Sequence, residues 1–303
     1  MLKESMLYLA RQEGIREFVI QNPATRRVAR RFVAGETLAE AMQVTQALNT
    51  NRLSVSLDHL GENVSDAAEA RTAADDYITI LDSIQAEGAE ANISVKLTAL
   101  GLDVDADLCR DNLIRVLQRA KDYNIFVRVD MEGSDYTQRT LDLVEELHAT
   151  YPNVGTVVQS CLYRTPRDVE TLIRQGVRMR LVKGAYLEPA TVAFPRKSDV
   201  DDQYIQLMRA LLERGVYPAI ATHDERMIDE ALRFTSEHGI PRVRFEFQML
   251  YGIRRDLQER LAGAGYNVRV YVPYGTQWYP YLTRRMAERP ANLIFVVSNT
   301  FRG

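Results

Sequence analysis

From residue 53 onward the chain alternates regularly between short β-branched runs and longer runs of helical period. The expected strands are 53–57, 92–96, 125–130, 154–159, 177–182, 216–221, 242–247 and 267–272. Amphipathic segments fall between them at 65–87, 107–123, 136–150, 166–175, 202–213, 226–238 and 254–262, and an eighth surrounds Tyr281 and ends at Pro290. Eight strands each followed by a helix predict an α/β protein whose parallel sheet closes into a (βα)8 TIM-type barrel. An open, doubly wound sheet is the alternative. It is disfavoured because no strand runs into a GxGxxG turn, and Gly263-Ala-Gly265 precedes its strand instead of following it.

The reading divides the chain into an N-terminal helical segment, 1–50, and the barrel, 51–303. The first segment is expected to be helical throughout, with Phe32, Val33, Leu38, Ala41, Met42, Val44 and Leu48 forming one apolar face. Arg26, Arg27, Arg30 and Arg31 make a basic cluster, which fits a solvated helix face and equally a contact with an acidic surface or a membrane. A formal charge of -3 provides no electrostatic footprint for nucleic acid. Cys109 and Cys161 stand alone without CxxC spacing, as reduced thiols of a cytosolic protein do. With no signal-peptide pattern and no apolar run long enough to span a bilayer, the expected location is cytoplasmic, with peripheral contact at the inner membrane left open.

In such a barrel, chemistry resides at the carboxyl ends of the strands. Those ends read Asp58-His59, Lys96, Asp130, Gln159, Lys183, Thr222-His223, Gln248 and Tyr271. A single polar strand end is ordinary, because it is where a strand enters a loop. A complete ring of them, with buried charges that are costly unless paired, makes sense around a polar ligand. The last helix adds Tyr281, Arg284, Arg285 and Glu288 at i, i+3, i+4 and i+7, so a stripe that would normally be apolar is charged. Two adjacent guanidinium forks suit a carboxylate or a phosphate; a solvated face with an Arg/Glu pair accounts for the same spacing. Metal chemistry is not expected, since the histidines show neither HxH nor HExxH spacing, and no GxSxG elbow is present.

Seven stretches at these positions resemble the flavin-dependent proline dehydrogenases, in particular the compact bacterial monofunctional form. They are Ser94-Val-Lys-Leu-Thr98, Arg128-Val-Asp-Met-Glu132, Val158-Gln-Ser-Cys-Leu-Tyr-Arg164, Arg180-Leu-Val-Lys-Gly-Ala-Tyr186, Ala221-Thr-His-Asp224, Phe245-Glu-Phe-Gln-Met-Leu-Tyr-Gly252 and Tyr281-Leu-Thr-Arg-Arg285. The resemblance implies a distorted barrel with FAD across the strand ends and the last helix above the flavin. It implies that Arg284 and Arg285 bind the carboxylate of L-proline with help from Lys96. Asp130 would brace Lys96 and Tyr271, while Leu250, Tyr271 and Tyr281 wall the pyrrolidine ring. Met131, Gln159, Arg180, Lys183, Gly184, Ala185, Thr222 and His223 would serve the flavin, with Arg180 near N5. Glu62 resembles an acidic gate that pairs with the first arginine over bound substrate. Neither the second dehydrogenase domain nor the DNA-binding segment of the multifunctional relatives is expected here.

The implied reaction is oxidation of L-proline to Δ1-pyrroline-5-carboxylate, with a hydride passing to the flavin and electrons then to a membrane quinone. Two readings compete with it. A Schiff-base lyase would use Lys96 or Lys183 as its amine, and a non-catalytic barrel would bind a carboxylate without turnover.

Overall fold

Several helix starts in this chain coincide with side-chain caps. In the computed structural model, which describes residues 29–61 and 64–288 and only the backbone over 284–288, Thr37 and Glu40 form a capping box at the head of α1 (Leu38–Thr50). Asp66 accepts from the amides of Ala68 and Glu69 to open α2 (Ala67–Glu87), and Asp105 accepts from Leu108 to open α3 (Ala106–Asp122). Each carboxylate or hydroxyl satisfies amides that have no partner inside the first turn. The expected helix over 30–37 is not formed: Phe32 and Val33 lie in a turn, because the Thr37/Glu40 box starts the helix only at Leu38. The expectations for residues 1–28, for Glu62 and for the chain beyond Glu288 fall outside the described residues.

Eight strands follow: β1 (Ser54–His59), β2 (Ala91–Val95), β3 (Val127–Val129), β4 (Val154–Gln159), β5 (Arg178–Val182), β6 (Ala219–Ala221), β7 (Glu246–Leu250) and β8 (Asn267–Tyr274). After α3 the helices between them are α4 (Ser134–His148), α5 (Thr165–Gln175), α6 (Lys197–Arg214), α7 (Glu225–Glu237) and α8 (Arg255–Gly263), with α9 (Trp278–Glu288) last. The strands pair in chain order, and β8 returns to β1 in parallel register from Ser54↔Arg269 to His59↔Tyr274, so the barrel is closed. The seventh strand departs from expectation. Exposed Arg242–Arg244 form a 3-10 turn after Pro241, and the buried strand begins at Glu246 and ends at Leu250. Gln248 therefore lies inside its strand.

The strand residues that alternate in sequence go to two different environments. Val55, Leu57, Ile93, Val95, Val127 and Val129 share an apolar core with Tyr77, Ile80, Leu81, Leu113 and Leu117 of the surrounding helices, and Ala41 and Met42 of α1 join it. The intervening positions hold buried polar groups, among them Ser56, Asp58, Ser94, Arg128, Arg180, Glu246 and Gln248. Arg180 on β5 reaches Ser94 on β2, an approach that only the barrel interior permits. Where such interiors are usually packed with branched aliphatic layers, this one is filled by a hydrogen-bonded charge network. Glu246 illustrates its balance: burial raises its pKa, Arg269 at 3.0 Å more than offsets this, and the carboxyl stays below its ordinary range.

Candidate active site

At the carboxyl ends of the strands lies a cavity of about 390 Å³. Every site residue named from the sequence whose side chain is described lines it: Lys96, Asp130, Met131, Gln159, Arg180, Lys183, Gly184, Ala185, Thr222, His223, Leu250, Tyr271 and Tyr281. Glu62 and the side chains of Arg284 and Arg285 lie outside the described residues. The backbone of α9 nonetheless carries both arginines, three and four residues beyond Tyr281. Trp278, Tyr279, Tyr281 and Leu282 anchor that helix against Ala29, Val33 and Leu60 beside the end of β1. His59 is not in the cavity wall; its ring stacks on Tyr274 at 5.1 Å.

The floor is built from residues of alternating strand position that meet across the barrel. Arg180 is held on three sides: Nη1 donates to Asp130 at 2.7 Å, Nη2 to the Ser94 hydroxyl at 3.0 Å, and Nε to Gln248. Gln248 in turn donates to Glu246. The Tyr271 hydroxyl donates to the other oxygen of Asp130 at 2.8 Å, and the Arg180 guanidinium lies 5.2 Å from the Tyr271 ring centre. Burial, reinforced by the Asp130 and Asp58 carboxylates, holds the Tyr271 phenol well above its ordinary pKa, so it stays a donor. Asp130 thus braces Tyr271, as expected, but its second oxygen takes Arg180. The Lys96 ammonium donates instead to Asp58 at 2.8 Å. Burial raises the Asp58 pKa, Lys96 opposes the rise, and Asp130 adds to it.

The rim is cationic and tied down by carboxylates from two helices. Lys183 reaches Asp201 on α6 at 2.6 Å and Asp224, the N-cap of α7, at 2.9 Å. Lys197 makes a second contact with Asp201. His223 Nε2 accepts from the Leu250 amide at 2.9 Å, which pins the end of β7 to the end of β6. Gly184 has φ +118°, a conformation that favours glycine, and a Cβ there would meet Cys161 Sγ at 2.4 Å. Gly184→Ala is therefore expected to abolish most flavin retention after gel filtration, with partial recovery in Cys161→Gly/Gly184→Ala. Full flavin content in the single variant would remove Gly184 from the cradle.

Asp58 and Gln248 stand among the polar strand ends read from the sequence, but without a role there, whereas Asp201 and Asp224 are not assigned to the site by sequence reasoning. Asp224 directly follows Thr222-His223, so adjacency is the signal that finds it. Asp201 lies within a helix and carries no comparable signal. Met131, Val157, Val182, Ala221 and Leu250 add apolar surface to the lining. The volume falls in the range of small-molecule and cofactor sites, and a lining that combines apolar side chains with fixed cations fits a flat, anionic flavin. Lys96 and Lys183 are both engaged by carboxylates, contacts that an amine forming a Schiff base with substrate would have to give up.

A closed parallel barrel with a charged cavity at its strand ends, and a tyrosine-bearing helix packed beside it, has the layout of a (βα)8 enzyme. Residues 41–298 match the family described as proline dehydrogenase. The chain belongs to that family of flavin-dependent enzymes, whose reaction is the FAD-dependent oxidation of proline. It is 46% identical over 283 residues to the proline dehydrogenase of Deinococcus radiodurans, covering 91% of each chain. It is 42% identical over 293 residues to proline dehydrogenase 2 of Bacillus subtilis, covering 97% of this chain and 96% of that one. Proline utilization A from Bdellovibrio bacteriovorus, in a structure inactivated by N-propargylglycine, superposes with a TM-score of 0.81 at 26% identity over 86% of this chain and 32% of the larger one.

Proposed function

We propose that this chain oxidises L-proline to Δ1-pyrroline-5-carboxylate in the strand-end cavity and passes the electrons to a quinone. The observation that carries this reading is the meeting of apolar lining and the immobilised Arg180-Asp130-Tyr271 floor in one cavity, under a helix that bears two adjacent arginines. FAD, when bound, supplies the acceptor for the hydride that leaves the ring carbon. Gln159, Lys183, Gly184, Ala185, Thr222 and His223 hold the cofactor, with Met131 on its apolar side. Arg284, Arg285 and Lys96 take the substrate carboxylate, and Leu250, Tyr271 and Tyr281 wall the ring.

Amine oxidation needs the donor carbon held in a single orientation, and a bidentate clamp on the carboxylate fixes direction as well as distance. Arg180 is fixed by three partners, on β2, on β7 and just past the end of β3, so its charge is already in place when electron density builds in the cavity. Tyr271 is held protonated near neutral pH and so offers no phenolate to take the substrate's ammonium proton. Glu62 closes the clamp as a gate on Arg284. Among the described residues no helix is long and apolar enough to cross a membrane. Contact with a quinone pool is accordingly peripheral in this reading, through the Arg26 to Arg31 cluster, and co-sedimentation with anionic vesicles tests it; a protein left wholly in the supernatant excludes that route.

Anaerobic addition of L-proline to the purified yellow protein is expected to bleach the flavin band near about 450 nm, and a soluble quinone added afterwards to restore it. A spectrum unmoved by proline defeats the catalytic reading. Bleaching without recovery defeats only the quinone step.

A further inference from the structure

The opposite end of the barrel carries a second cavity, of about 320 Å³, between the starts of β2, β3, β5 and β8. Its lining includes Asn92, Phe126, Arg178 and Arg269, with Glu90 exposed at its edge and occupied by the Ser54 hydroxyl at 2.6 Å. Charge pairing in the barrel interior leaves a surplus here. Lys96 has Asp58, Arg180 has Asp130, and Arg269 has Glu246. Among the described residues, Arg128 and Arg178 have no carboxylate within ion-pair distance, and Glu246, already paired with Arg269, acts on both only at longer range. Arg128, 1% exposed, donates from Nη1 to the carbonyls of Thr156 and Arg178, and its Nε has no acceptor.

The Arg178 guanidinium lies 4.2 Å from the Phe126 ring centre and 4.6 Å from that of Tyr217, and its buried Nε is unsatisfied. Phe126 is shared, since the Arg128 guanidinium lies 4.7 Å from the same ring centre. Gly155 makes room for this stack: a Cβ there would meet Phe126 Cζ at 2.6 Å and the Arg178 carbonyl at 2.3 Å. Asn92, 5% exposed, lines the same cavity and has no side-chain hydrogen bond among the described residues; its buried Oδ1 lacks a donor, and its amide NH2 is the group that can donate to an anion. Ring contacts return only part of the cost of burying a guanidinium, and an unpaired buried charge is among the most destabilising features a fold can carry.

We propose that this cavity is a second, anion-binding site, in which the guanidinium of Arg178 and the carboxamide of Asn92 hold a small oxyanion of the phosphate or carboxylate class. Among the described residues the buried Arg178 Nε has no acceptor, so the guanidinium retains donor capacity for an oxyanion, a class guanidinium groups bind bidentately. The anion neutralises the surplus that Arg128 and Arg178 create. Burial holds both groups below their ordinary pKa, and for Arg128 the neighbouring Arg180 and Arg178 add to the effect. Because the site lies at the amino ends of the strands, its occupant acts on stability and leaves turnover at the other end untouched.

The test uses flavin-loaded protein, so that the cofactor's own phosphates fill their site, and follows the thermal midpoint against inorganic phosphate or succinate at constant ionic strength set with chloride. A ligand that binds only the folded state raises the midpoint with its concentration. The wild type is expected to rise with one or both oxyanions and not with chloride, and Arg178→Met to weaken the apparent affinity at least about tenfold. Asn92→Asp, which supplies a carboxylate in place, is expected to raise the midpoint without added anion and to lose the response. This second variant decides the matter even if Arg178→Met fails to fold. No oxyanion-specific rise in the wild type, an undiminished rise in Arg178→Met, or an Asn92→Asp protein of lower midpoint that still responds would each overturn the proposal.

Discussion

Arg285→Met is expected to raise the Michaelis constant for L-proline by about two orders of magnitude, with flavin content unchanged. Truncating one member of a desolvated, hydrogen-bonded charge pair costs about 2 to 5 kcal/mol, which corresponds to roughly thirty-fold to several-thousand-fold in affinity. Methionine keeps an unbranched stem and a high helix propensity, so α9 should still pack through Trp278, Tyr279, Tyr281 and Leu282. The comparison that isolates the carboxylate is prolinamide: the wild type should prefer L-proline strongly over it, and the variant should treat the two nearly alike. An unchanged Michaelis constant for L-proline would transfer the carboxylate to other residues, with Lys96 the first to examine.

Asp130→Ala is expected to cost about 3 to 5 kcal/mol of stability and to lower kcat/KM by roughly a hundredfold or more. The carboxylate is only 12% exposed and serves two partners, the Arg180 guanidinium at 2.7 Å and the Tyr271 hydroxyl at 2.8 Å. Removing it leaves a buried guanidinium without its counter-ion and frees the Tyr271 ring in the cavity lining, so stability falls and, if Tyr271 walls the substrate as proposed, orientation suffers too. Asp130→Asn separates the two effects. Its carbonyl oxygen can still accept from Tyr271 while the amide cannot neutralise Arg180, so a milder fall in the thermal midpoint should accompany a similar loss of rate. Wild-type rates in Asp130→Asn would show that the charge on Arg180 needs no balancing for catalysis.

Much of the site was legible because barrel chemistry follows a simple positional rule. Polar residues that end apolar runs fall at the strand ends, and alternation assigns Arg180, Gln248 and Tyr271 to the same interior. The seventh strand was misjudged because Arg242–Arg244 has a β-branched centre but lies exposed, and exposure is not visible in composition. The start of the first described helix was misjudged for a related reason: an apolar pattern through Phe32 and Val33 continues past the Thr37/Glu40 box that delays it.

The sequence by itself determined the order and kind of the elements, the family, and which residues face the interior, because these depend on local period, caps and short motifs. Only the tertiary structure decided the partners: Asp58 rather than Asp130 for Lys96, Asp130 for Arg180, Glu246 for Arg269, and two helix-borne carboxylates for Lys183. Those pairs come from strands and helices far apart in the chain. Which of several buried charges meet depends on how the closed barrel sets strand register, and that register is a property of all eight strands together.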